Sequence, residues 1–149
     1  MVTKELETTT EEEEAAAVIT LDSSAVFALL NRRDPDHRRV RNAIQQDSGP
    51  YLIPAATLGE IAYLVEMRLG ARTMDLFLGD LSSNAFTLDC GEENLPRARQ
   101  LAQKYMDLPL GFTDAAVAAC AEANGKRVLT LDLRDFSVIA KETSLIILP

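Results

Sequence analysis

One histidine, His37, serves the whole chain. That scarcity excludes any multi-histidine zinc site, which takes several imidazoles. His37 itself lies in the charged segment DPDHRRVRNAIQ and is read as a solvated helix position. Cysteine is almost as scarce. Cys90 and Cys120 can make only one pair, their spacing fits no metal-ligand pattern, and the simplest reading is two buried reduced thiols. No stretch approaches the roughly 18 consecutive apolar residues of a membrane span. The start, MVTKELETTTEEEE, lacks the basic and then apolar segments of a signal peptide, so a cytoplasmic location is the expectation. A basic excess is missing too. The net charge is −8, yet residues 1–14 hold six acids and one lysine, which leaves seventeen acids against fourteen basic residues in the remainder. A protein that coats nucleic acid by charge alone needs a basic face to displace counterions, and that mode is excluded. An enzyme that holds nucleic acid through a bound cation is not.

What the chain has is apolar residues: 47% of its 149 positions, enough to bury the core of one ordinary domain. Residues 1–16 read as an acidic, low-complexity extension, disordered or weakly helical, and residues 17–149 as a single domain. AVITLD predicts a short buried strand ending at Asp22, and SSAVFALLN a helix capped by Ser23 or Ser24. Asp34 is expected to cap a second helix with Pro35 at its first position, Val40, Ala43 and Ile44 facing inward and Arg38 and Arg41 outward. YLIPA is the next strand. TLGEIAYLVEMRLG follows, with Leu58, Ile61, Ala62, Leu64 and Val65 at helical spacing and Gly70 as its stop. TMDLFLGDLSSN continues as helix, AFTLD is strand-like, and LPRARQLAQKYMD is amphipathic. A helix capped by Thr113 and stopped at Gly125, then the strands RVLTL and SLIILP, complete the chain. Strands alternating with helices predict an α/β domain whose mostly parallel sheet is covered on both faces.

In such a sheet, ligands bind beyond the carboxyl ends of the strands, near the point where strand order reverses. Asp22 and Asp132 each follow an apolar strand directly, which puts both at that edge. Glu60 opens the helix after YLIPA. TLGE is also a capping box in which Thr57 caps and Glu60 reaches back, and both readings of Glu60 stand. Asp114 opens a helix, where the dipole alone would favour a negative charge. Four carboxylates converging on one edge raise one another's pKa and oppose ionisation. Hard divalent cations, which take oxygen ligands, remove that cost.

The segments VITLDSSAVFALL, PAATLGEIAYLV, LGFTDAAVAACAEANG and VLTLDLRDF, in that order, resemble the PIN-domain family, and more narrowly the VapC-type ribonuclease toxins of toxin–antitoxin pairs. The similarity runs from about Val18 to Leu148, with residues 71–107 matching only in being helical. The resemblance implies a PIN-like three-layer sandwich with a parallel five-stranded sheet, ordered 3-2-1-4-5 and flanked by helices. It places the family's four acidic positions on Asp22, Glu60, Asp114 and Asp132, with Ser24 helping to hold the first and Asp135 as an alternative for the fourth. The implied activity is hydrolysis of RNA phosphodiester bonds with Mg²⁺ or Mn²⁺, as one ion or two. Asp22 and Asp114, with Asp132, would ligate the cation, and Glu60 would orient or deprotonate the attacking water. The implied partners are a second copy of the chain, as a homodimer, and a cognate antitoxin. The helix TLGEIAYLVEMRLG would offer the antitoxin an apolar surface, unless that stripe is ordinary core. Arg32, Arg33, Arg38, Arg39 and Arg41 would grip phosphates or form a solvated, salt-bridged face.

Other readings compete with this one. A Mg²⁺-dependent phosphatase of the haloacid-dehalogenase type also has an aspartate after its first strand, but needs a second acid where Ser24 stands. A non-catalytic binding module could use the same fold as a scaffold.

Overall fold

The computed structural model describes residues 18–108 and 110–149, so the acidic extension expected over residues 1–16 lies outside the described residues. Among these, five short strands, β1 (Ile19–Leu21), β2 (Tyr51–Pro54), β3 (Thr87–Asp89), β4 (Arg127–Leu129) and β5 (Ile146–Leu148), form one sheet. Its order is β3-β2-β1-β4-β5, and every neighbouring pair is parallel. Thr20 is the pivot of the register, opposite Leu52 on one side and Val128 on the other. Seven α-helices among the described residues flank the sheet: α1 (Ser23–Leu30), α2 (His37–Gln45), α3 (Leu58–Arg68), α4 (Ala71–Ser82), α5 (Leu95–Lys104), α6 (Phe112–Ala123) and α7 (Leu133–Thr143).

Strand alternation sends side chains to two separate cores. On one face Ile19, Leu21, Ile53 and Leu129 meet Ala25, Val26, Val40, Ile61, Val65 and Phe77 from α1 to α4. On the other, Val128 meets Ala98 and Leu101 of α5, the small residues of α6, and Phe136 and Ile139 of α7. Every residue of α6 from Ala115 to Ala121 is buried. Five of those seven are alanines, short enough for the helix to lie close to both the sheet and α5.

Several local expectations require correction. Cys90 and Cys120 are a disulfide rather than free thiols, their Cα atoms 5.6 Å apart. Cys90 follows β3 and Cys120 lies on the inner side of α6, a proximity that no spacing along the chain displays. His37 opens α2, but its ring is half buried and its Nδ1 lies 2.9 Å from the Ala28 carbonyl oxygen, packing it on the end of α1 instead of in solvent. α2 begins at His37 behind Asp36, because the Asp34 carboxylate accepts the Asp36 amide (2.8 Å) and closes a turn through Pro35. Asp22 occupies the cap position of α1, with Ser23 and Ser24 inside the helix. Gly111 precedes α6, so Thr113 is already in its first turn. Gly125 does take a positive φ (86°) past the end of α6. The helix α7 was missing from the sequence reading. DLRDF reads locally as a turn, and the α7 anchors, Phe136 and Ile139, find their packing partners on α5, α6 and β4, distant in the chain.

Candidate functional site

Strand order reverses between β1 and β4. The backbone amide of Asp22, one residue past β1, donates to the Leu129 carbonyl (3.0 Å) and so pins Asp22 beside the end of β4. Its carboxylate is buried, 3% exposed. Oδ2 accepts two hydroxyl protons, from Ser24 (2.8 Å) and from Thr130 (2.9 Å). Oδ1 is buried with no hydrogen bond among the described residues. Burial raises the Asp22 pKa and the two hydroxyls lower it in part. A carboxylate oxygen enclosed without a donor costs free energy unless a proton or a cation meets it.

Asp114 is half buried in the first turn of α6. Its pKa is pushed up to about 7, first by burial and then by the charges of Asp22, Asp132, Asp135 and Glu60. All five acids are therefore within electrostatic reach of one point. The tightest group is Asp114, Asp132 and Asp135, which each present a carboxylate oxygen within 4.8 Å of the others. Asp132 caps α7 and Asp135 stands in its first turn, so one helix start delivers both. The Asp135 pKa is also raised, by burial, by the Asp132 charge and by a hydrogen bond to that carboxylate.

Glu60 sits in the first turn of α3 and is exposed. The capping box expected of TLGE does not form: the Thr57 hydroxyl donates to the Pro54 carbonyl (2.8 Å), and no side chain caps α3. The Glu60 carboxylate has no hydrogen bond or ion pair among the described residues, and it lies outside the tight group of three, as does Asp22, whose charge still reaches Asp114.

Thr130 was missed. Besides holding Asp22, its hydroxyl accepts the Asp132 amide (3.0 Å), so one buried side chain ties together the two acids that follow β1 and β4. The available signal was a hydroxyl in an otherwise apolar strand end, VLTLD, two residues before an acid. Ser24 adds a second tie, accepting the Leu131 amide (3.1 Å).

The arginines are elsewhere. Arg32, Arg38 and Arg41 line an open groove with Asp34 and His37 beyond the far end of α1. Eight residues of helix, about 12 Å, separate that end from Asp22. Arg39 pairs with Asp36 (3.4 Å) on the exposed side of α2.

The comparisons with known proteins agree with this architecture. The family model for the PIN domain matches residues 19–142. Ribonuclease VapC26 of Mycobacterium tuberculosis is 31% identical over 121 residues, which cover 80% of this chain and 90% of that protein. Among solved structures, VapC20 of M. tuberculosis, described as a sarcin–ricin loop cleaving toxin, superposes with a TM-score of 0.72 at 21% identity, covering 81% of this chain and 94% of that one. The DNA-bound VapBC of Salmonella typhimurium gives 0.65 at 22% identity, covering 87% and 96%. Both structures, at that identity, speak for the fold. With the matched span, the sheet order and the VapC26 relationship together, the chain belongs to the PIN-domain family, on its VapC-type branch.

Proposed function

We propose that this chain is a divalent-cation-dependent endoribonuclease and the toxin of a toxin–antitoxin pair, acting in the cytoplasm through the domain of residues 17–149. The observation that carries the reading is the convergence of Asp22, Asp114, Asp132 and Asp135 on the switch point of the sheet, with the Asp22 Oδ1 buried and unpartnered. Hard oxygen donors in that number suit Mg²⁺ or Mn²⁺ and suit no softer metal as well. The residues present therefore fit the ion. Asp22 and Asp114 would hold it, with Asp132 and Asp135 completing the donor set.

A bound Mg²⁺ or Mn²⁺ supplies Lewis acidity, lowering the pKa of water and offsetting charge on a phosphodiester. The protein does the rest. Ser24 and Thr130 fix the Asp22 carboxylate, leaving Oδ1 as the oxygen free to ligate. Asp132 is aimed through its amide by Thr130. Glu60, exposed and with its carboxylate unspent, would orient the attacking water and take its proton as the bond to phosphorus forms and the bond to the leaving oxygen breaks. Without a cation the same cluster would repel RNA, so the acids would hold a phosphodiester only with the ion in place. The phosphatase reading fails on Ser24, whose hydroxyl is committed to Asp22 in the position where a second acid is needed. VapBC structures from Salmonella typhimurium and Rickettsia felis are toxin–antitoxin complexes bound to DNA, which supports an antitoxin as partner here; a homodimer completes the reading.

Purified protein, free of any antitoxin, should cut total RNA with Mg²⁺ or Mn²⁺ and fail to do so with EDTA or as Asp114→Ala. Sequencing the new ends identifies the target. RNA left intact by the wild type, or cut equally by Asp114→Ala, overturns the proposal.

A further inference from the structure

A second concavity opens at the same carboxyl edge of the sheet as the acidic cluster, beyond the ends of β2 and β3. It is a cavity of about 290 Å³ walled by Ala55 and Ala56 of the turn after β2, Leu95 and Ala98 of α5, and Phe112 and Ala116 of α6. It shares elements with the site: Phe112 and Ala116, one turn apart on one face of α6, belong to the helix that carries Asp114, and Ala55 and Ala56 lead into the helix that carries Glu60. Two large apolar side chains on its rim are open to solvent, Phe112 at 52% and Leu95 at 50%. Singly such exposure is ordinary, but here both border one hollow. The half-buried Asn94 is also on the rim, and its side-chain amide has no hydrogen bond among the described residues. Cys90 forms part of the wall, and its disulfide to Cys120 of α6 holds two sides of the hollow in fixed relation.

We propose that this pocket receives one nucleobase of the RNA beside the scissile phosphate, stacked on Phe112 and read at its edge by the Asn94 amide. The proposal takes its ligand from the ribonuclease reading and deepens it. Three features select a base. Among the described residues no cationic side chain lines the hollow and Glu92 does, so a phosphate would be repelled while a neutral ring would not. Its volume falls at the lower end of small-molecule pockets, room for one ring system and not for a length of peptide. An aromatic face beside a side-chain amide that both donates and accepts is what recognition of an unstacked base requires.

The test uses a randomised single-stranded RNA pool with Mn²⁺, cut by the wild type, Phe112→Ala, Phe112→Tyr and Asn94→Ala, and read by sequencing. Base–aromatic stacking removed by alanine corresponds to a roughly 5- to 150-fold loss in kcat/KM. Phe112→Ala should show that loss together with a flattened base preference at one position next to the cut. Phe112→Tyr should retain both rate and preference, and Asn94→Ala should change the preference more than the rate. A second readout needs no cleavage: millimolar adenosine, guanosine, cytidine or uridine added to the wild type should shift the alanine methyl NMR signals of Ala55, Ala56, Ala98 and Ala116, and not those in Phe112→Ala. If the wild type leaves RNA uncut yet nucleosides shift those methyls, the ribonuclease reading falls and the pocket stands. If nucleosides shift nothing, or if Phe112→Ala cuts at an unchanged rate and preference, the base pocket is overturned. Unchanged cutting by Phe112→Ala with weakened binding of an apolar antitoxin peptide would overturn it as well, in favour of a protein side chain as the occupant.

Discussion

Among the described residues, Asp114 has four other carboxylates acting on it. Its carboxyl is pushed up to about 7, from 3.8 in an unperturbed chain, by burial and then by Asp22, Asp132, Asp135 and Glu60. The folded state thus keeps a proton between about pH 4 and pH 7 that the unfolded chain has released. Stability is therefore full below about pH 4 as far as this group is concerned, and is lost as pH rises through about 7. Metal-free protein followed by circular dichroism should melt at lower temperature at pH 8 than at pH 5, by roughly 2–4 °C for each kcal/mol involved. Asp114→Asn should remove most of that slope. A melting temperature that stays level across this range in the wild type would show that Asp114 is less buried, or the acids farther apart, than described. Thr130 carries the other residue-scale prediction. Thr130→Val keeps the shape but removes the hydroxyl that holds Asp22 Oδ2 and the Asp132 amide. Cation affinity should fall by roughly 10- to 100-fold, the loss usual when a partner of a ligating group is removed. Titration calorimetry with Mn²⁺ measures it, and an unchanged affinity would reduce Thr130 to ordinary packing.

Among the elements, α7 matters out of proportion to its visibility in the sequence. It carries Asp132 and Asp135 at its start, and Phe136 and Ile139, fully buried, hold it on the second core. Phe136→Ala should cost about 3–5 kcal/mol in urea unfolding and weaken cation binding with it, because the helix start aims both acids. The disulfide is the second element-scale feature. It joins residues 30 apart, tying the end of β3 to α6. In the chain-entropy model, closing a loop of that length stabilises the fold by about 3–4 kcal/mol. A reducing agent should lower the urea midpoint of the wild type accordingly and leave the double variant Cys90→Ala, Cys120→Ala unmoved. A wild-type midpoint indifferent to reductant would mean that the thiols are already reduced in solution.

At the scale of the whole molecule, the cation links stability to function. An ion that binds only the folded state stabilises it by about 2.7 kcal/mol at a hundred times its Kd. Mn²⁺ should therefore raise the melting temperature clearly at pH 8, less at pH 5 where Asp114 keeps its proton, and not at all in Asp22→Asn. An equal rise in that variant would place the ion elsewhere. The fold was legible because its cues are local: three-residue strands of β-branched and leucine residues, helices at 3.6-residue spacing, and Gly70 and Gly125 at helix ends. The family's segment order then supplied the sheet order, which no local pattern contains. Asp22 and Asp132 could be read as strand-end acids from their own neighbourhoods. Others needed the folded chain. Whether Glu60 is spent in a capping box turns on where the Thr57 hydroxyl points, and it points to Pro54. Asp135 joins Asp114 and Asp132 because the start of α7, which carries Asp132 and Asp135, is packed near the first turn of α6, and Cys90 meets Cys120 only because the segment after β3 folds against α6. The sequence by itself determined which residues alternate, which helices have an apolar side and which acids end strands, since those follow from bonded neighbours a few residues apart. Only the tertiary structure decided the disulfide, the tie from Thr130 to Asp22 and the hollow beside Phe112. Each of these joins positions on separate elements, 30 residues apart in the disulfide and 108 in the tie, and closeness of that kind is set by packing across the whole core.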